Sequence, residues 1–203
     1  FIVAALTIYS DIDKSQLIKS MFFIHNDYSK ESPAFGFNIL GPAWTLTYEF
    51  YFYGLFMLAM SFSHKYRVAI SACMLIIPIL ALQLYYNGNI SLAGSASARV
   101  HESFYLHGFI RFCSSPILVE FVIGMMAFTL FKKLKEIEYN ANQFLHYFPV
   151  GIFLVFYFSQ ANNRFGLDGF GMWSLFLFLG CMSKELSKGF KENNKLSFLG
   201  DIS

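Results

Sequence analysis

The chain has 203 residues, of which 56% are hydrophobic and 20% aromatic; only 14% are charged, and the net charge is +2. Soluble domains are about one quarter charged, so with a mean hydropathy of +0.48 the composition excludes an ordinary water-facing surface and points to a membrane. The small charge, without basic clusters interleaved with stacking aromatics, indicates no nucleic-acid partner.

In chain order, residues 1–9 (FIVAALTIY) read as the tail of a span. The chain starts without Met and without a basic leader, so no signal peptide is expected. A short amphipathic stretch, 15–24, is suited to lie along the membrane face. Polar residues and Pro33 then lead to Gly41-Pro42, and proline is well placed in a first helical turn.

Five complete hydrophobic spans follow, at 44–62, 68–86, 116–131, 144–159 and 170–182. A crossing takes about 20 apolar residues, with a range of about 17–25. The run 68–86 meets that length, and 44–62 meets it if Glu49 is tolerated. The last three must borrow flanking residues. Residues 87–98 (NGNISLAGSASA) read as a flexible surface loop. The end, from Leu196 to Ser203, reads as the lead-in to another span, so the sequence reads as part of a longer polytopic protein. Lipid offers no partner to a free backbone N–H or C=O, which requires helices. The expected fold is all-α: a polytopic transmembrane helical bundle, with 1–203 forming one domain.

Charge placement orients the spans. Lys65 and Arg67, then Lys132, Lys133 and Lys135, then Lys184, Lys188, Lys191 and Lys195 fall in short connections. Lys14, Lys19 and Lys30, then Arg99 and Arg111, then Arg164 fall in the longer, alternating ones. The positive-inside rule assigns the first set to the cytoplasm, which puts Trp44, Glu49 and Glu120 near the outer ends of their spans. Trp44 also fits an interfacial anchor of the aromatic belt.

The chemistry-bearing candidates are few. Glu49 sits among apolar and aromatic residues, where an ionisable group costs about 2.5–3.5 kcal/mol on insertion scales. The dipole of a helix N-terminus returns only about 0.3–1 kcal/mol, enough at the interface but not deep in the bilayer. Glu120 also lies in the first turns of a span. Arg111 is an outer-side residue that either pairs with Glu120 or Glu49 or orients a substrate. The five histidines, His25, His64, His101, His107 and His146, show no metal-ligand spacing, so no metal is expected. Nucleophile elbow, Walker loop and G-x-G-x-x-G are absent from the sequence. Cys73, Cys113 and Cys181, an odd count without C-x-x-C spacing, read as small apolar residues.

The stretch Trp44-Thr45-Leu46-Thr47-Tyr48-Glu49-Phe50-Tyr51-Phe52-Tyr53 resembles the W-[ST]-L-x-x-E-x-x-[FY]-Y signature of the membrane acyltransferase 3 family. Pro116-Ile117-Leu118-Val119-Glu120-Phe121-Val122-Ile123-Gly124-Met125 is similar to its later P-x-x-x-E-F-x-x-G-M span. The closing Leu199-Gly200-Asp201-Ile202-Ser203 is similar to its L-G-x-[IAV]-S. The order and spacing of the three match, and the Gly-Pro-x-Trp-Thr-Leu-x-Tyr-Glu flavour is most similar to the exopolysaccharide-modifying branch. The resemblance implies an integral protein of the bacterial inner membrane that O-acylates surface carbohydrates. It implies acyl-CoA, usually acetyl-CoA, as a co-substrate from the cytoplasm, with no bound cofactor.

In the family the Glu is paired with a His on the first helix, in an [RK]-x10-H pattern. That first helix is expected to be missing here, so this stretch alone is expected to be inactive. Lys14 with His25 and Lys135 with His146 both fit the spacing, but neither opens the first span, and both are read as coincidence. Glu49 is therefore the expected catalytic carboxylate. Trp44, Thr45, Tyr48 and Tyr53 would shape its surroundings, with Arg111 and Glu120 as further candidates. The alternative is a glycan or lipid-linked sugar transporter, or an export subunit, that uses Glu49 and Glu120 as proton or substrate sites. A purely structural scaffold gives no account of Glu49.

Overall fold

The computed structural model describes residues 14–39, 41, 43–137, 144–159 and 164–187. The expected span tail at 1–9, Pro42, and the closing Leu199 to Ser203 motif lie outside these residues. Among the described residues the regular structure is helical: α1 (Lys14–Met21), α2 (Ala43–Phe62), α3 (Arg67–Asn87), α4 (His107–Cys113), α5 (Leu118–Glu136), α6 (Phe144–Ser159) and α7 (Phe170–Ser187). An isolated antiparallel bridge joins Ala93 to Gly166. The all-α expectation is met at that level.

Two stretches, Arg67–Asn87 and His107–Glu136, are long and apolar enough to cross a membrane. Helix α6 is apolar but has only 16 residues. Helix α2 has 20, but four tyrosines and threonines in its first half and Glu49 dilute its hydropathy. Phe50, Met57, Phe62, Ile77, Leu84, Tyr85, Met126 and Phe128 all point outward from their helices. Apolar side chains on the outside are what a lipid-facing helix presents and what a water-facing one avoids.

The ends of the helices follow local rules. Helix α3 closes on Gly88, whose left-handed φ of 70° lets its N–H reach the Leu84 carbonyl at 3.0 Å. Inside α3, Pro78 removes one N–H, a loss that spanning helices tolerate better than soluble ones. Helix α5 has Glu120 in its first turn and Lys133 and Lys135 in its last, both placed to favour the helix dipole.

The packing forms two compact units. Of the described residues, the first holds those up to Ile123 with Arg164–Asp168, and the second holds the rest, from Gly124 through α6 and from Gly169 through α7. The first unit packs α2 on α3 and α3 on α4. Its core includes Phe35, Trp44, Tyr48, Leu75, Ile79, Phe112, Leu118 and Val122. Phe52 of α2 stacks on Phe121 at 4.6 Å. Gly94 and Gly166 meet backbone to backbone: a Cβ on Gly94 would fall 1.6 Å from the Phe165 carbonyl oxygen, so no side chain fits there. The second unit is dominated by the α6–α7 pair.

Candidate functional site

The loop 22–39 folds back over the start of α2. Its turns are held by Asp27 N–H to the Phe35 carbonyl at 2.9 Å, Phe35 N–H to the Glu31 carbonyl at 2.9 Å, and the Asn26 amide to the Phe37 carbonyl at 2.7 Å. Phe35 adopts a left-handed φ of 44°. That conformation costs an L-residue about 1–2 kcal/mol. Phe35 is fully buried, and burying such a ring gives back about 1.5–3 kcal/mol.

This loop meets the tryptophan-tyrosine-glutamate stretch of α2. Thr47 donates its hydroxyl to the Phe23 carbonyl. Tyr48 donates to the Pro33 carbonyl at 2.8 Å, and its hydroxyl lies 3.4 Å from Ser115 Oγ. Ser115 is in turn 2.7 Å from Ser32 Oγ. The bend between α4 and α5 is thereby tied to both the loop and α2. Gln83 of α3 joins it, donating to the Ser114 carbonyl at 3.0 Å while accepting from Ser91 N–H at 2.8 Å.

His25 lies at the centre. It has no exposed surface, and the rings of Tyr28, Phe35, Tyr48 and Phe112 surround it at centroid distances between 5.3 and 5.7 Å. Neither ring nitrogen reaches a hydrogen bond of proper geometry, although the Trp44 backbone is close enough to act on it. Burial holds its pKa down to about 4, with the Trp44 backbone opposing part of the shift, so the ring is neutral at physiological pH. Burial also raises the pKa of the Tyr28 phenol, against the pull of the His25 backbone. The spacing Lys14-x10-His25 carried no weight in the sequence. Only the fold shows that His25 is packed against the Trp44–Tyr48 turn.

The sequence-named residues separate into two groups. Trp44 and Tyr48 are buried, with Trp44 edge-on to both Tyr48 and Phe165. An interfacial-anchor role for Trp44 does not fit that burial. Arg111 belongs to the same assembly, but as a tie: its guanidinium donates to the carbonyls of Tyr28 and Lys30, the latter at 3.1 Å, and to Ser97 Oγ at 3.4 Å. It pairs with neither Glu49 nor Glu120. Arg111 is thus committed to holding the loop rather than balancing a membrane carboxylate.

The second group lies off the face of α2 that carries Trp44 and Tyr48. Thr45 and Glu49 are half-buried, Tyr53 is exposed one turn beyond Glu49, and Glu120 is half-buried on α5. Among the described residues, nothing hydrogen-bonds to or ion-pairs with the carboxylates of Glu49 and Glu120. A cavity of about 380 Å³ opens beside the His25 cage, lined by Tyr28, Thr47, Tyr51, Phe109 and Phe112. Its walls are mostly aromatic, and Glu49 is not among them. The described residues contain no group of three or more His, Cys, Asp or Glu that could hold a metal ion.

No family model, no curated protein and no solved structure matches the chain.

Proposed function

We propose that this chain is the membrane-embedded part of an O-acyltransferase. It moves an acyl group, acetyl foremost, from acyl-CoA to a hydroxyl of an exopolysaccharide or other surface glycan, within a polytopic bundle in a bacterial inner membrane. The observation that carries the reading is Glu49. It is the sole charged residue of the 20-residue helix α2, it is half-buried, and no described residue partners it. A carboxylate kept in such a place at a cost of about 2.5–3.5 kcal/mol is retained for a task. The motif around it, resembling that of the acyltransferase family, names the task.

A sugar hydroxyl is a poor nucleophile at neutral pH, so a base must take its proton as it attacks the thioester carbonyl. Glu49 would orient a histidine base and balance the positive charge that forms on it. None of the described histidines bonds to Glu49, and His25 is sealed among rings. Trp44 and Tyr48 support the reading indirectly: their burial fixes the rotation of α2 and so the direction in which Glu49 leaves the helix.

The test uses the full-length protein. Glu49→Gln should abolish glycan acetylation while membrane levels stay unchanged; normal acetylation in that variant removes Glu49 from the mechanism. Two carboxylates without a partner among the described residues, Glu49 and Glu120, favour a second reading, a proton-coupled transporter of glycan. Labelled acetyl-CoA supplied to the cytoplasmic face of vesicles separates the two. Label on glycan supports the enzyme; proton-coupled glycan flux without label supports the transporter.

A further inference from the structure

The second unit contains a pair of groups that the reading above does not use. His146 of α6 is buried, and both of its ring nitrogens meet serine hydroxyls of α7: Nδ1 is 2.7 Å from Ser183 Oγ and Nε2 is 2.8 Å from Ser187 Oγ. The two serines stand four residues apart, one above the other on the same face of α7. Gly180, one turn earlier, makes the approach possible. A Cβ there would lie 2.6 Å from Val150 Cγ2 and 2.9 Å from the His146 carbonyl oxygen. The neutral imidazole has one donor and one acceptor nitrogen, so one hydroxyl must receive a proton from the ring and the other must offer one to it. Ser183 is almost fully buried, whereas Ser187 is half-buried and open to a reactant. The Ser187 proton has two acceptors in reach, the Lys184 carbonyl at 3.1 Å and Nε2 at 2.8 Å; with Ser183 accepting from Nδ1–H, the Nε2 lone pair is the nearer of the two and faces the accessible hydroxyl. Nucleophile, base and orienting group then stand in the order that activates a serine.

We propose that Ser187 is a nucleophile that His146 activates, and that it takes an acyl group from an acyl thioester. Ser187 Oγ attacks the thioester carbonyl carbon and His146 Nε2 receives the hydroxyl proton. The C–S bond then breaks, the proton passes to the departing thiolate, and the products are a Ser187 ester and the free thiol. A second hydroxyl reverses the sequence, taking the acyl group and returning the proton to Ser187. The charge asymmetry of the chain places this end of α6 and α7 on the cytoplasmic side, with Lys132, Lys133, Lys135 and Lys184. Basic residues there suit a donor with phosphate groups. The choice of acyl-CoA as donor rests on the function proposed above; the activated serine does not.

The experiment uses the full-length protein in inside-out vesicles with two probes, radiolabelled acetyl-CoA and an alkyl fluorophosphonate. The expected result is covalent label from both on the peptide containing Ser187. Both labels should be absent in Ser187→Ala and formed at least about 100-fold more slowly in His146→Gln. Ser187→Cys, which preserves the fold, should still carry acetyl label, now released by neutral hydroxylamine. If neither probe labels Ser187, or if labelling survives His146→Gln, the contacts are interhelical hydrogen bonds alone and the proposal is overturned. Fluorophosphonate labelling without acetyl labelling upholds the activated serine and overturns acyl-CoA as its donor. Acetyl label on Ser187 in a protein whose glycan acetylation does not depend on Glu49 upholds this site while the Glu49 mechanism fails.

Discussion

Tyr48, one turn into α2, donates its hydroxyl to the carbonyl of Pro33 at 2.8 Å, bonding the helix to the loop that leads into it. Both residues are buried. The bond therefore sets the rotation of α2 against the loop and, with it, the direction of Glu49. Tyr48→Phe leaves the carbonyl buried without this donor, which costs about 1–3 kcal/mol. The variant should show a lowered unfolding temperature in detergent. Unchanged stability would mean that the bond contributes nothing net.

His25 sets a pH dependence. Its folded pKa of about 4 lies below the ordinary 6.5, so between those values the unfolded chain binds more protons than the folded one. Stability is fully present above pH 6.5 and falls as the pH drops towards 4, by up to about 3 kcal/mol in all. In denaturant titrations across that window His25→Phe should flatten the slope. His25→Ala should flatten it too, but lose about 2–4 kcal/mol at neutral pH through the cavity it leaves.

Arg111 serves three acceptors at once: the carbonyls of Tyr28 and Lys30, and Ser97 Oγ. A lysine ammonium is a point charge on a flexible stem and cannot reproduce that planar fork. Arg111→Lys should therefore be nearly as harmful as Arg111→Ala, each costing about 1–3 kcal/mol. Limited proteolysis of the loop 22–39 reads this directly: faster cleavage is expected in both variants, and wild-type resistance in the lysine variant would show that charge alone suffices.

Gly180 tests the α6–α7 contact. Its Cβ position lies against the His146 carbonyl, a backbone atom that cannot swing aside. Gly180→Val should force the helices apart at a cost of about 1–3 kcal/mol. It should also lengthen the His146–Ser187 contact, so that fluorophosphonate labelling of Ser187 falls before the protein leaves the membrane. Labelling equal to wild type would show that the helices accommodate the side chain.

Long apolar runs were the most legible part of this chain. Helices α2, α3 and α6 begin and end within a residue or two of the hydrophobic spans 44–62, 68–86 and 144–159. Helices α5 and α7 continue past 131 and 182, to Glu136 and Ser187, because Lys, Glu and Ser are acceptable to a helix although not to lipid. Arg111, which reads as an outer-loop residue, falls in the short helix α4. The site was legible only as a motif. Consecutive letters hid the fact that Tyr48 enters the packed core while Glu49, about 100° further round the helix, leaves it.

What the order of residues determined alone was the class of the molecule: its helices and an ionisable group inside an apolar run; of the five hydrophobic spans read from it, the folded chain has two stretches, Arg67–Asn87 and His107–Glu136, long and apolar enough to cross a membrane. These follow from hydropathy and from the demand of the backbone for internal hydrogen bonds, and both act locally. The folded arrangement decided which chemistry is shared. His25 is neutral because Tyr28, Phe35, Tyr48 and Phe112 arrive from distant positions to exclude water from it. His146 faces Ser187 across 41 residues because Gly180 lets two helices touch. Desolvation and hydrogen bonding depend on separations of a few ångströms, and only tertiary packing sets those between residues far apart in the chain.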